Sequence, residues 1–248
     1  VTFAALVSRY GWVALLAAGA ILFYAASGLP VMGDAESPAS GHVSPRYIEK
    51  AYEETGAPNM VTAVLADYRS YDTLGETVVI FTAGLACLLI LGAFSSSDSE
   101  SNTDQESPMT YSFGSDVLDA ASRILFPFIA LFALYVVFHG HTSPGGGFQG
   151  GAILAAALML TRLIRGRSHT RWLDLGKALR LASIGILVYA GIGVTSLFYS
   201  RNFLDYSALP LPFHGGHLRE FGSLGVEIGV FISVSAVLIM IFEALTEG

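Results

Sequence analysis

The chain has 248 residues, 53% of them hydrophobic and 13% charged, with a mean hydropathy of +0.58. Soluble domains carry charge on about a quarter of their residues, so this composition excludes an ordinary water-facing surface and points to lipid as solvent. Thirteen Lys and Arg against twenty Asp and Glu give a net charge of −7, which speaks against nucleic acid as partner. The single cysteine, Cys87, excludes an intrachain disulfide framework and any multi-cysteine metal or iron–sulfur site.

Six apolar stretches are long enough, or nearly so, to cross a bilayer, which takes about 20 residues. The first runs from Tyr10 to Leu29. Ala25-Ala26-Ser27 resembles a signal-peptide cleavage site, but the run is too long for a typical signal core and only Arg9 precedes it. It reads as a retained helix. From Pro58 to Glu76, Met60, Val61, Val64, Leu65 and Tyr68 recur at helical spacing behind a proline suited to a first turn. This predicts an amphipathic helix before the second span, with Asp67, Arg69 and Asp72 placed so that one Arg could pair with either carboxylate. Thr73-x-x-Glu76 matches a capping box with Thr73 as N-cap. The alternative for Glu76 is a carboxylate at the membrane boundary that exchanges a proton or holds a cation. Sequence leaves both open.

The second span covers Thr77 to Phe94. After it, Ser95 to Pro108 is acidic, serine-rich and free of aromatic residues, too poor in apolar groups to fold. Residues 95–114 are therefore expected to be a disordered linker between a two-span unit (1–94) and a four-span unit (115–248). The later spans run from Ile124 to Phe138, Ala152 to Ile164, Ala178 to Tyr199 and Phe221 to Leu245. The fold class is all-α integral membrane, with about six spans in a 2 + 4 arrangement.

His139 to Gly151 joins the third and fourth spans and holds six glycines and a proline. Non-helical backbone at membrane depth persists only where protein or a wet cavity covers it. The loop has no lysine for a phosphate-binding loop, and no strand and acidic residue for a dinucleotide fingerprint. Pro144, Gly145, Gly146, Gly147, Phe148, Gly150 and Gly151 read as a tight turn, with direct ion handling as the alternative. Gly151/Ala155 and Ala152/Ala156 then offer small-residue packing faces.

Six of the thirteen basic residues fall between Arg162 and Arg180. By the positive-inside rule that loop is cytoplasmic, and threading outward places both termini inside as well. Glu227 lies about 9 Å into the last span, where a carboxylate faces a bundle interior or a wet cavity by default. Its alternative is a snorkelling or serine-bonded side chain. Gly222, Gly225, Gly229 and Ser233 form a separate small-residue stripe. His139, His141, His214 and His217 fall on the expected outer side and are of the ligand type zinc favours, but sequence fixes no geometry for them. No nucleophile–base or paired-carboxylate arrangement supports an enzyme, and no cofactor is called for.

With these residues in view, the chain resembles two subunits of the multisubunit sodium/proton antiporter family, the Mrp or Mnh type. Asp67-Tyr68-Arg69-Ser70-Tyr71-Asp72-Thr73-Leu74-Gly75-Glu76 resembles the "DFR-x-x-DTLGE" segment near the C-terminus of the large A-type component, or of the small E-type component of membrane-bound hydrogenases. Gly140-His141-x-x-Pro144-Gly-Gly-Gly147-Phe148-x-Gly-Gly151 is similar to the signature of the B-type component, and Gly225-Val-Glu227-Ile-Gly229-Val to its closing run, where Asp is common. The resemblance implies an accessory subunit of a sodium (or other cation)/proton antiporter in the cell membrane, working beside proton-pumping antiporter-like subunits. No expected span carries a lysine, so the pumping helices belong to those partners. It implies an ion path through Glu76, Asp72, Asp67, Arg69 and Glu227. One alternative is the same module in a redox-driven complex such as a membrane-bound hydrogenase or sulfane reductase. Another is a free-standing small channel or carrier.

Overall fold

A computed structural model describes residues 3–91, 115–165, 174–212 and 216–247. The linker at 95–114, the middle of the basic loop (166–173) and His214 lie outside the described residues. Every regular element among the described residues is helical. Five helices are long and apolar enough to cross a membrane: α4 (Ser70–Ile90), α5 (Ser115–Phe138), α6 (Gly147–Arg165), α7 (Leu175–Phe198) and α8 (Gly216–Glu247). A sixth, α1 (Phe3–Ser27), has a shorter described apolar stretch, Gly11–Ser27.

The chain forms two compact units, Val1–Arg46 and Tyr47–Gly248. The first holds α1 and a serine-knotted turn. There Ser40 Oγ donates to the Asp34 carbonyl at 3.2 Å and the Asp34 carboxylate accepts from Glu36 N at 2.9 Å. A single π-helical turn, Ala39–Val43, follows. α2 (Ser44–Thr55) has no counterpart among the expected elements, because a short polar helix leaves no long apolar run to detect. The expected amphipathic helix over 58–76 is instead broken into α3 (Met60–Thr62), a π-helix (Ala63–Tyr68) and the first turns of α4.

The spanning helices start earlier than their apolar cores: α4 at Ser70, α5 at Ser115 and α8 at Gly216. Polar first turns continue the helix past the bilayer core, and hydropathy does not register them. This overturns the capping-box reading of Thr73. Thr73 lies inside α4, and its hydroxyl donates to the Leu65 carbonyl at 2.7 Å instead of capping.

α8 is the central helix, packed against α4, α6 and α7, with a lighter contact to α5. Val226, Val230, Val234, Val237, Met240 and Ala244 are buried along it at helical spacing. Lipid tails are as apolar as leucine, so helices associate here through close packing rather than hydrophobic transfer. Small residues supply that closeness. A Cβ at Gly185 on α7 would lie 2.5 Å from the Gly229 carbonyl on α8 and 2.8 Å from Ser233 Cβ. Gly84 on α4 fits against Val237 and Met240 in the same way. On α6, Gly151 and Ala155 are buried as expected, whereas Ala152 and Ala156 are exposed and form no packing face within the chain. The far ends of α5, α6 and α8 are tied by charge. Arg162 pairs with Glu243 in a buried position, and Asp119 takes Arg123 at 2.7 Å and Arg165 at 2.8 Å.

Candidate functional site

The glycine turn is held from both sides. Gly146 adopts φ +129°, which L side chains rarely take, and its amide donates to the Val136 carbonyl at 3.1 Å. From the segment before α4, Asn59 Nδ2 donates to the Gly140 and Ser143 carbonyls, each at 2.8 Å, and Thr62 Oγ1 donates to Gly140 O at 2.5 Å. The Asn59 amide also donates to the His141 carbonyl at 3.0 Å. Nothing in the sequence marks Asn59 and Thr62, because their partners lie about eighty positions away.

Glu227 sits beneath this turn. A Cβ at Gly140 would come within 2.9 Å of Glu227 Oε2, and one at Gly146 within 3.5 Å of Oε1. A Cβ at Gly147, where α6 begins, would strike the Glu227 backbone carbonyl. Glycine is required at this contact because the turn backbone lies directly on the glutamate. Among the described residues no hydrogen bond or ion pair reaches the carboxylate. The serine-bonded alternative therefore has no support: Ser223 lies one turn away and is not its partner.

A second cluster joins the π-helix to α8. Arg219 Nε donates to Asp67 Oδ2 at 2.9 Å, its Nη2 donates to Oδ1, and Nη1 reaches Asp205 at 3.3 Å. Burial is the larger influence on the Asp67 carboxyl and pushes it above the ordinary carboxylate range, Arg219 pulling the other way. Burial also opposes ionisation of Asp205, but hydrogen bonds from Ser207 and the charges of Arg219 and Arg201 outweigh it and hold that carboxyl below the usual range. The π-helix leaves carbonyls that a regular helix would consume. Tyr206 Oη donates to Ala66 O at 2.8 Å, and Tyr189 Oη donates to Ser70 O at 2.7 Å at the start of α4. Tyr189 lies within electrostatic reach of both Glu227 and Glu76, and Tyr206 within reach of Asp67, Arg219 and Glu227.

The expected site residues thus separate into three places. Asp67 turns inward to Arg219. Arg69 pairs with Asp72 on the exposed surface. Glu76 stands on the exposed side of α4, apart from the more deeply placed Glu227 of α8. Of the histidines, His139 stacks on Tyr135 with ring centroids 4.1 Å apart, while His141 and His217 both meet Glu220. Among the described residues no three His, Cys, Asp or Glu side chains are grouped to hold a metal ion. Arg219, Asp205 and Glu220 carry no signal in the sequence beyond being charges near a predicted span.

Residues 117–240 match the family described as a domain related to the MnhB subunit of Na+/H+ antiporters, and residues 10–107 match the MbhE family of MBH. The chain belongs to the MnhB-related antiporter subunit family. A probable K(+)/H(+) antiporter component of Rhizobium meliloti, of the combined A/B type, is 29% identical to it over 223 residues, covering 81% of this chain and 22% of that protein. The chain therefore spans about a fifth of that relative's length. A chain of the Mrp complex from Dietzia sp. superposes with a TM-score of 0.66 at 26% identity, over 99% of this chain and 26% of that one. A chain of the membrane-bound sulfane sulfur reductase, an archaeal respiratory membrane complex, superposes with a TM-score of 0.62 at 29% identity, over 97% of this chain and 98% of that one. The likeness to both fits the two-part resemblance of the sequence. It is α4 packed on α8 that makes one body of the two parts within residues 47–248.

Proposed function

We propose that this MnhB-related subunit is an accessory, non-enzymatic membrane component of a multisubunit cation/proton antiporter, and that Glu227 and Glu76 carry its share of the ion path. The observation that carries the reading is Glu227. It is a carboxylate without a partner among the described residues, the one charged residue between Phe221 and Phe242 of α8, beneath a turn whose glycines lie directly on it. Such a group is costly in a membrane and marks an ion or proton pathway by default. Glu76, on α4, is the other carboxylate of the reading, its segment Asp67–Glu76 carrying the resemblance to the antiporter family. Sodium and protons are the substrates of this reading. The partners are proton-pumping antiporter-like subunits in the same cell membrane, with both termini and the basic loop cytoplasmic.

The test is cation-dependent proton flux in vesicles holding the assembled complex. Gln at 227 or 76 should preserve assembly and suppress flux. Normal flux in both variants would remove the ion-path reading.

A second reading is favoured by coverage, since the chain aligns with nearly the whole of one sulfane sulfur reductase chain but a quarter of the Mrp chain. It places the same module in a redox-driven pump. Isolation of the native complex separates the two: iron–sulfur partners would select the redox reading, antiporter-like partners alone the first. A chain running as a monomer would replace both with a free-standing channel or carrier.

A further inference from the structure

We propose that His141, Glu220 and His217 form a proton-exchange site at the surface end of α8 that supplies Glu227. This rests on the reading of Glu227 as part of the ion path and adds where its protons enter. His141 Nε2 lies 3.0 Å from Glu220 Oε1, and His217 Nδ1 lies 3.4 Å from Oε2, so one carboxylate bridges two imidazoles. Exposure is graded: the His217 side chain is 81% exposed, His141 30% and Glu220 26%. Glu227 follows Glu220 by seven positions on α8, two turns along the same face and about 10.5 Å further in at 1.5 Å per residue. The glycine turn touches both levels. His141 contacts Glu220, and the preceding residue, Gly140, lies against the Glu227 carboxylate.

Imidazole is the side chain whose unperturbed protonation change falls at physiological pH. A proton taken from solvent on a ring nitrogen of His217 or His141 passes to Glu220, the imidazole returning to its starting form. α8 carries no titratable side chain between Glu220 and Glu227, so the last step to Glu227 needs a water chain along the glycine turn, which the proposal includes. The other charged groups nearby are committed elsewhere. Arg219, next to Glu220, turns to Asp67 and Asp205. Glu54 accepts from Tyr68 Oη, His139 stacks on Tyr135, Arg69 holds Asp72, and Glu76 belongs to α4. Glu220 is thus left to the two histidines. Without proton exchange the cluster is a clamp that fastens the turn to the first turn of α8.

The experiment uses the assembled complex in vesicles and compares His141→Gln, Glu220→Gln and His217→Gln. Cation-dependent proton flux is normalised to assembled complex while pH is varied on the side where the turn opens. His141→Gln and Glu220→Gln should cut flux several-fold at about pH 8 and recover toward wild type at about pH 6, where the higher proton concentration makes up for a lost collecting group. His217→Gln should show a smaller change of the same kind. Unchanged flux, a loss that acid does not relieve, or failure of all three variants to assemble would each overturn the proposal in favour of a clamp. Glu227→Gln measured alongside separates the two levels. Flux lost there but normal in the cluster variants overturns this inference alone, and normal flux in Glu227→Gln overturns the reading beneath it.

Discussion

Asp67 and Arg219 are 152 residues apart in the chain, yet they form a two-point ion pair that fixes the π-helix before α4 onto the start of α8. Removing one partner of a buried pair costs about 3–5 kcal/mol because the other is left uncompensated. The two ends are not equivalent. The Asp67 side chain is 2% exposed and relies on Arg219, whereas Arg219 is 26% exposed and also reaches Asp205. Arg219→Gln should therefore lower the thermal midpoint of the detergent-solubilised complex more than Asp67→Asn does. Its cost should lie toward the lower end of that range, given the solvent reaching the guanidinium. Equal shifts, or a larger one for Asp67→Asn, would show that the pair does not hold the junction as described.

That junction also marks the boundary of what the sequence reveals. Spanning helices are legible from apolar length, and the glycine turn from composition, because each is a local property. The pairing of Asp67 is not. From spacing, Arg69 could serve either neighbouring carboxylate; the π-helix turns Asp67 inward and leaves Asp72 to Arg69. Likewise Thr73-x-x-Glu76 fits a cap by pattern, but the π-helix upstream leaves the Leu65 carbonyl for Thr73. Asn59 and Thr62 look like ordinary helix-start residues, and nothing local tells that their side chains secure a turn some eighty positions on. Long-range polar contacts decide the site, and they have no period.

Glycines at helix crossings should be intolerant in proportion to what a Cβ would meet. A Cβ on Gly185 falls 2.5 Å from a backbone carbonyl of α8, and one on Gly150 falls 2.8 Å from the Ala133 carbonyl of α5. Backbone cannot step aside as a side-chain tip can. Gly185→Ala and Gly150→Leu should each reduce the amount of assembled complex several-fold. Gly191→Ala, in the same helix as Gly185 but with nothing within 4 Å, should assemble normally. Quantitative gels of membrane extracts decide it, and equal assembly of Gly185→Ala and Gly191→Ala would refute the close crossing.

Orientation can be read by labelling in intact cells. With Cys87 replaced by Ser, a cysteine at Ser168 in the basic loop should resist an impermeant thiol reagent. One at Ser200, exposed at the opposite end of α7, should react. The expectation rests on six basic residues between Arg162 and Arg180. Reaction at Ser168 from outside, with Ser200 silent, would invert the proposed topology.

Glu76 poses the sharpest question about neighbours. It stands on the exposed side of α4, about 9 Å along the helix from Ser70. A carboxylate facing lipid near the bilayer centre costs about 2.5–3.5 kcal/mol on insertion scales, less toward the boundary. Val79 and Ala83, three and seven positions on, are exposed on the same side, and Ala83 is small enough for a second helix to come close. Phe128 of α5, also exposed, needs no such cover, because an aromatic ring is at home in lipid. In the assembled complex this side of α4 should therefore be covered by another subunit. In the Cys87→Ser background, Ala83→Cys should cross-link to a co-purifying protein and be shielded from a lipid-soluble thiol reagent, while Phe128→Cys should react with that reagent. Reaction at Ala83 as strong as at Phe128, with no cross-link, would place Glu76 against lipid and leave it no partner for ion transfer. A cross-linked product identified by mass would name the component that faces it.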